Sequence, residues 1–504
     1  MTVATEALPA VPAQPVARIW PGLALRWLLL VTATAVAFHH SIGSVVDSIV
    51  GRLELSYLPA IVLYAVLAAV ATRRRGRAVV EIHDRETDVI VGGVVAGLAL
   101  AATILLTPTL TGSYRMWRID LLMMWSFAVG TAILLFGLRR LLQYRWAWLT
   151  LALIWPLPAR LITYVFGGGD LRWVAATQLA VVVGLLLLGR RPGERFGVLV
   201  ALVALLVSAP LLVLDVNRAP LLIMLPPMTA LLIGVLAWSV HDRPRFRRLE
   251  RPVVSRPLAA AAAVTVFAVI GFFTIPPMPP LSQQTVLPVD QSAGAPGSMV
   301  PQGWRLVDRR TYPAQSAYFG VHATWDRYRV RAIDADTGPE AVDAQGRHRE
   351  MVIDLTTTER PRTLDLFPLA TTYPIGSYEM SEPTEVDLGH GVEGQLYAAV
   401  DPRALLAWSM LTFTVLVPAD LAVDHPSPDS PALVAQRFTL MLVDDHRAGA
   451  IFPQPSRALL DSMRSVLTAI LRGGHSTQLP QIKNADLLVG TAKQLVDQRT
   501  AGAA

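Results

Sequence analysis

Of 504 residues, 53% are hydrophobic and only 16% charged, where a soluble domain carries about 25% charged residues. There is no cysteine, which excludes thiolate catalysis, disulfides and cysteine-ligated zinc. The net charge of +6 does not point to nucleic acid, because the arginines gather beside apolar stretches, where they set membrane orientation.

Lys483 and Lys493 are the only lysines, so no Schiff-base lysine precedes them. A tail of residues 1–20 leads into a region, 21–275, in which apolar stretches of roughly 17–25 residues recur, each enough to cross ~30 Å of hydrocarbon. The spans predicted are 22–38, 57–72, 88–107, 119–137, 147–165, 173–189, 196–214, 219–239 and 257–275. The fold class expected is therefore a polytopic α-helical membrane bundle of about nine spans, followed by an exported α+β domain. Basic clusters follow every second span: Arg73-Arg74-Arg75-Gly76-Arg77, Arg139-Arg140 with Arg145, Arg190-Arg191 with Arg195, and Arg243 through Arg248 with Arg251. Short arginine-rich loops stay cytoplasmic, which puts the N-terminus inside and the C-terminal domain outside the plasma membrane. The first span is not followed by a small-residue cleavage site and is expected to be retained. Trp20, Trp27, Trp117, Trp146, Trp148, Trp173 and Trp238 fall at predicted interfaces. In the fifth span, Trp155-Pro156-Leu157-Pro158 must end or break the helix, as a simple terminus or as a broken helix lining a cavity.

A linker rich in proline, serine and glycine, 276–303, leads to the domain of residues 304–504. Strand-like runs occur at 318–325, 349–358, 392–400, 405–417 (helix remains open there) and 436–443. Residues 456–474 place Leu459, Leu460, Met463, Val466, Leu467, Ile470 and Leu471 on one helical face, and a second helix is predicted over about 484–498. One sheet with at least two helices results.

Phosphate-loop, dinucleotide, HExxH and GxSxG patterns are absent. His39-His40 are adjacent on a helix and do not share a face, so no metal site is expected; no cofactor is expected either. Asp424-His425 and Asp444-Asp445-His446 read as solvated loops. Polar residues gather on the outer rim: His39, His40, Asp47, Glu54, Arg115, Arg118, Asp120, Arg160, Asp170, Arg172, Asp215, Asn217 and Arg218. Charges slightly within the hydrophobic limit are costly unless paired or facing a cavity. That singles out Arg160, Asp215 and Arg218, with Asn217 between the last two. Arg218 either pairs locally with Asp215 across a hairpin turn or binds an anion, such as a carboxylate or lipid phosphate, in an outer-face pocket.

Three segments, SYLPAIVLYAVLAAVATRRR (56–75), LALIWPLP (151–158) and APLLVLDVNRAPL (209–221), resemble the exosortase/archaeosortase family in its order. That family comprises multi-span, extracytoplasmic-facing enzymes that act as cysteine transpeptidases in protein sorting. The resemblance implies that Arg218 takes the place of the family's active-site arginine. The family's cysteine belongs near Val174–Thr177, where this chain has Val-Ala-Ala-Thr, and no histidine follows Arg218 in the next span. It therefore implies the scaffold without thiol chemistry. The function expected is a non-enzymatic envelope protein that anchors or binds a partner, with membrane lipids and envelope proteins as its partners. Alternatives are an exosortase-like enzyme with altered residues and a lipid-handling or transport protein.

Overall fold

The computed structural model describes residues 19–50, 85–109, 114–158, 160, 257–277, most of 299–455 and 482–500, with short pieces between 55 and 69 and at 284–287. Its helical part contains α1 (Ile19–Ala37), α2 (His39–Val50), α3 (Arg85–Thr109), α4 (Tyr114–Trp117), α5 (Ile119–Phe136), α6 (Leu138–Gln143), α7 (Arg145–Leu151) and α8 (Pro257–Thr274). Small residues bring these helices together. A Cβ on Gly130 would stand 2.6 Å from the Ala96 nitrogen, and one on Gly92 would stand 2.8 Å from Leu134 Cγ, so α3 and α5 approach backbone to backbone. Gly271 meets Ala37 in the same way and seats α8 on α1. At the far end of the α3–α5 pair, Gly137 takes φ 88° and Asp88 accepts the Leu138 N–H at 2.7 Å. A carboxylate there meets the positive end of α6.

The nine-span bundle is corrected by this structure. Among the described residues, two helices are long and apolar enough to cross a membrane, Arg85–Thr107 and Ile119–Phe136, or up to three if the bent pair Gly22–Ala37 and His39–Ser48 counts as one span. That pair turns through 86° at Phe38, so the apolar stretch from α1 into α2 is not one straight rod. The α-helix of the fifth predicted span is interrupted after Leu151; a 3-10 turn follows over Ala152–Ile154, Trp155 is extended, and helical backbone returns at 157, 158 and 160. Proline at 156 pushes the residue before it out of the helical region, which is why the helix cannot continue unbroken. The apolar helix Leu258–Thr274 is shorter than the two spanning helices. The predicted spans 173–189, 196–214 and 219–239 lie outside the described residues, as does most of 57–72.

The remainder is a large, mainly antiparallel β-sheet domain. Its strands are β1 (Thr285–Val286), β2 (Trp304–Thr311), β3 (Thr324–Ala332), β4 (Glu350–Thr358), β5 (Glu379–Met380), β6 (Thr384–Asp387), β7 (Glu393–Asp401), β8 (Leu406–Pro418) and β9 (Leu433–Val443). The order is β2-β3-β4-β9-β8-β7-β5, with β6 beside β7 and β1 parallel to β8. Alternate residues supply two cores. On one face Val330, Ile353, Leu411, Phe413, Phe438 and Leu440 meet Leu488, Ala492, Leu495 and Val496 of α11 (Ala485–Thr500), named after α9 and α10 below. On the other, Trp325, Tyr397, Trp408, Met410 and Met441 lie beneath α9 (Pro361–Leu366), α10 (Leu369–Thr372) and Tyr373. Because both faces are covered, β8 and β9 are apolar almost throughout, and that removed the alternation that would have separated strand from helix at 405–417.

The runs at 349–358, 392–400, 405–417 and 436–443 form β4, β7, β8 and β9, and the second helix forms α11. The run at 318–325 differs: Tyr318 and Phe319 sit in a turn, Gly320 takes φ 130°, and β3 begins only at Thr324. The predicted helix 456–474 lies outside the described residues. Within the linker, Thr285 and Val286 pair with β8, and Leu287 is buried in the first core. The sheet is thus reached soon after α8 ends at Thr274.

Candidate functional site

Among the described residues, buried polar side chains converge at two places. The first is at the turn between the two spanning helices. Arg118 occupies the left-handed region (φ 42°, ψ 47°), which a non-glycine residue adopts only under local constraint. The constraint is Asp120: Arg118 Nε and Nη2 donate to its two carboxylate oxygens at 3.0 Å each, with Asp120 fully buried. Arg118 Nη1 reaches Ser44 Oγ on α2 at 3.3 Å, so one guanidinium ties the α4–α5 turn to the bent helix. Tyr114 adds a hydroxyl that bonds Asp120 and Thr107; burial, then the Asp120 charge, raises its pKa.

Arg160 belongs to this cluster. It is buried and donates to the Met116 carbonyl at 2.5 Å and to the Arg115 carbonyl, while Trp155 Nε1 donates to the Trp117 carbonyl at 2.7 Å. The final carbonyls of α4, which lack partners within the helix, are met by these donors. The structure thus brings together Arg115, Arg118, Asp120 and Arg160 from the predicted rim. Asp215, Asn217 and Arg218 lie outside the described residues. His39 and His40 stack on each other at 3.8 Å between ring centroids, with His39 also against Phe272 at 4.7 Å. Among the described residues no group of three histidines or acidic residues is placed to hold a metal.

The second cluster is inside the sheet domain, beneath α9 and α10. Arg327 on β3 and Asp354 on β4 are cross-strand partners. Arg327 Nε and Nη2 donate to the carboxylate at 2.7 and 2.6 Å, Nη2 also reaches the Pro453 carbonyl at 2.8 Å, and the Tyr373 hydroxyl donates to Asp354. Burial opposes the Arg327 charge, yet Asp354 more than offsets it and raises the pKa; burial and then Asp354 hold Tyr373 well above its ordinary value. Arg437 on β9 is also buried. Its Nη1 donates to the Leu364 and Phe367 carbonyls at 3.2 and 2.9 Å, at the C-terminal end of α9, and its guanidinium lies 5.2 Å from the Phe319 ring centroid. A cation there suits the helix end.

The two clusters are joined through α9, which lies against α4. Gln284, one residue before β1, donates to the Pro361 carbonyl at 3.1 Å and holds the other end of α9. What these arrangements do chemically is fasten elements together. Asp354 accepts three hydrogen bonds and Asp120 is gripped on both oxygens, so neither is a poised base. The Arg327–Asp354 pair was not singled out from the sequence. Its signal was present in parity: in TWDRYRVRA and EMVIDLTTT, Arg327 and Asp354 occupy the same alternating positions as buried Trp325 and Val352. Asp424-His425 and Asp444-Asp445-His446 lie outside the described residues. No family model, no curated protein and no solved structure matches this chain.

Proposed function

We propose that this protein is a non-enzymatic, membrane-anchored binding or assembly component of the cell envelope, with its sheet domain on the extracytoplasmic side and lipids and envelope proteins as its partners. One observation carries the reading: the buried carboxylates of both clusters, Asp120 and Asp354, are each held by a guanidinium in fastening bonds, and α9 lies against α4 between the clusters. A reactive centre keeps a base or nucleophile open to substrate; here the guanidinium groups grip carboxylates and helix ends. Two apolar helices support the anchoring, and large apolar side chains turned outward on α1, α3 and α8 suit a lipid surround. The orientation follows the arginine distribution, with Arg139, Arg140 and Arg145 on the cytoplasmic side. The α4 turn, at the opposite end of α5, then faces outward, and the sheet domain with it.

The absence of cysteine makes the test clean. Single cysteines would replace exposed Ile451 in the sheet domain and exposed Arg145 at the start of α7, and cells would be treated with a membrane-impermeant maleimide. Ile451→Cys is expected to label in intact cells, Arg145→Cys only after permeabilisation, and both chains to resist alkaline carbonate extraction. Labelling of Ile451→Cys only after permeabilisation, or release by carbonate, would overturn the reading.

A further inference from the structure

The outer strands of the sheet carry a feature that the fold does not require. Cross-strand partners share a face, as do residues two apart on one strand. Register therefore puts Arg305, Asp308 and Arg310 of β2, Arg329 and Arg331 of β3 and Glu350 of β4 on a single face. Four guanidinium groups there meet two carboxylates. Arg310 pairs with Asp308 at 2.8 Å, and Arg331 pairs with Glu350. Arg305 and Arg329 are exposed and neither forms an ion pair among the described residues; Asp308, which stands opposite Arg329, is taken by Arg310. Arg305 stands directly opposite Arg331, a like-charge arrangement that destabilises a sheet. Glu350 meets Arg331, whereas Arg305 forms no ion pair among the described residues.

Lipid headgroups are not the natural occupant. The end of the sheet nearest α4 is where β1 joins β8 and where α9 follows β4. Asp326 belongs to that end and Arg331 lies five residues farther along β3, about 17 Å at ~3.3 Å per residue. Charges are screened within about 8 Å at physiological salt. Single-stranded nucleic acid uses aromatic platforms for its bases, whereas the aromatics nearest this face are engaged: Trp325 is buried and Tyr312 packs against Trp325 and beneath Arg327. An extended acidic peptide does match: its alternate side chains repeat at about 6.8 Å, the spacing of Arg329 and Arg331. Arginine rather than lysine suits bidentate capture of carboxylates. Pairing through the open edge of β2 is not the mode, because the bulge between Leu306 and Asp308 and the flanking arginines obstruct strand addition.

We infer that the face formed by Arg305, Arg310, Arg329 and Arg331 is a docking surface for an acidic protein segment in extended conformation. This rests on the binding role proposed above and names the class of partner. It does not depend on which side of the membrane the domain occupies, so a failed labelling experiment and a failed binding experiment remain distinct.

The test uses the full chain in detergent micelles and a fluorescein-labelled dodecapeptide of alternating glutamate and threonine, read by anisotropy. The parent chain is expected to bind, and binding should weaken as salt is raised. Arg305→Gln with Arg329→Gln should bind at least tenfold more weakly, and the single variant Arg329→Gln should fall between. Arg362→Gln, at an exposed arginine on α9 near α4, should match the parent. Thermal midpoints equal to the parent's confirm folding, as expected for exposed positions. The inference is overturned if the parent does not bind the peptide, or if the double variant binds it equally. It also fails if oligothymidylate, polyphosphate or anionic vesicles bind more tightly than the peptide through the same arginines.

Discussion

The helical part and the sheet domain place their side chains in opposite ways. On the helices, large apolar residues point outward: Leu258 is 83% exposed, Phe273 78% and Leu105 68%, while Arg118 and Asp120 are enclosed. In the sheet domain, Trp325, Trp408, Phe438 and Met351 are enclosed and arginines line the outer strands. The apolar surface is enclosed in one case and turned outward in the other, on helices of which two are long and apolar enough to cross a membrane. Both regions nevertheless bury an arginine–aspartate pair. Arg118 and Asp120 are two residues apart and shape a turn, whereas Arg327 and Asp354 join separate strands and, through Tyr373, the segment beneath which they lie. The first pair is a local device for reversing the chain at an interface. The second is a clamp between distant segments, and its loss should be felt throughout its domain.

The largest effect is expected at the clamp. Asp354→Ala leaves Arg327 charged and buried without its partner and should cost about 3–5 kcal/mol. Adding Arg327→Met to that variant should recover much of the loss, because no uncompensated charge remains. Urea unfolding followed by tryptophan fluorescence, with Trp325 and Trp408 in the adjacent core, measures both. A double variant no better than the single one would mean that the pair is not the clamp described. A smaller effect is expected where the helices touch. Gly130→Val places atoms where the Ala96 backbone nitrogen stands 2.6 Å from any Cβ, and overpacking of this kind typically costs about 1–3 kcal/mol. The folded fraction in detergent should fall while the sheet domain's unfolding midpoint holds. If both regions weaken equally, the contrast between them fails.

The smallest effect at neutral pH is expected at Tyr397, whose buried hydroxyl has no hydrogen-bond partner among the described residues. Tyr397→Phe should change stability by less than about 1 kcal/mol, or raise it, since an unpaired buried polar group is unfavourable. The pH dependence is more informative. Burial raises the pKa of Tyr397 and, with Asp354 adding to it, that of Tyr373. In the unfolded chain both would ionise near pH 10. Their neutral forms are therefore fully compatible with the fold below that pH, and stability is lost as pH rises above it towards the folded values. Tyrosinate absorbance should show Tyr373 and Tyr397 ionising only with unfolding of the sheet domain, and Tyr397→Phe should lessen the alkaline slope.

Particular residues show how far the sequence could be read. Pro156 announced an end or a break of the helix near Trp155, and the helix is interrupted there, with helical residues again at 157, 158 and 160. Gly130 and Gly92 gave no comparable signal, because their role is to admit another backbone, and a one-dimensional pattern does not say whose. Long apolar runs were taken as spans by length alone. Yet a run can bend, as at Phe38, or break, as after Leu151, and still be apolar throughout. The rim residues Arg118, Asp120 and Arg160 were legible as charges near apolar limits, but Arg160 turned out to hold backbone carbonyls. In the domain, β4, β7, β8 and β9 were visible from β-branched, apolar runs between turns. The start of β3 was not, because Gly320 and its turn interrupt a run that reads as strand.

What the sequence determined by itself is chemical supply and local bias. It excluded thiol chemistry, concentrated the membrane-compatible residues before the prolines at 276–280 and placed β-forming runs after them. The tertiary structure alone decided which charges meet. Arg327 and Asp354 are separated by 27 positions, and α4 and α9 by more than two hundred, so their partnership depends on strand register and on where a helix comes to rest. Local propensities act over a few residues. Register and docking are set by burying two sheet faces at once, and that requirement exists only when the whole chain has folded.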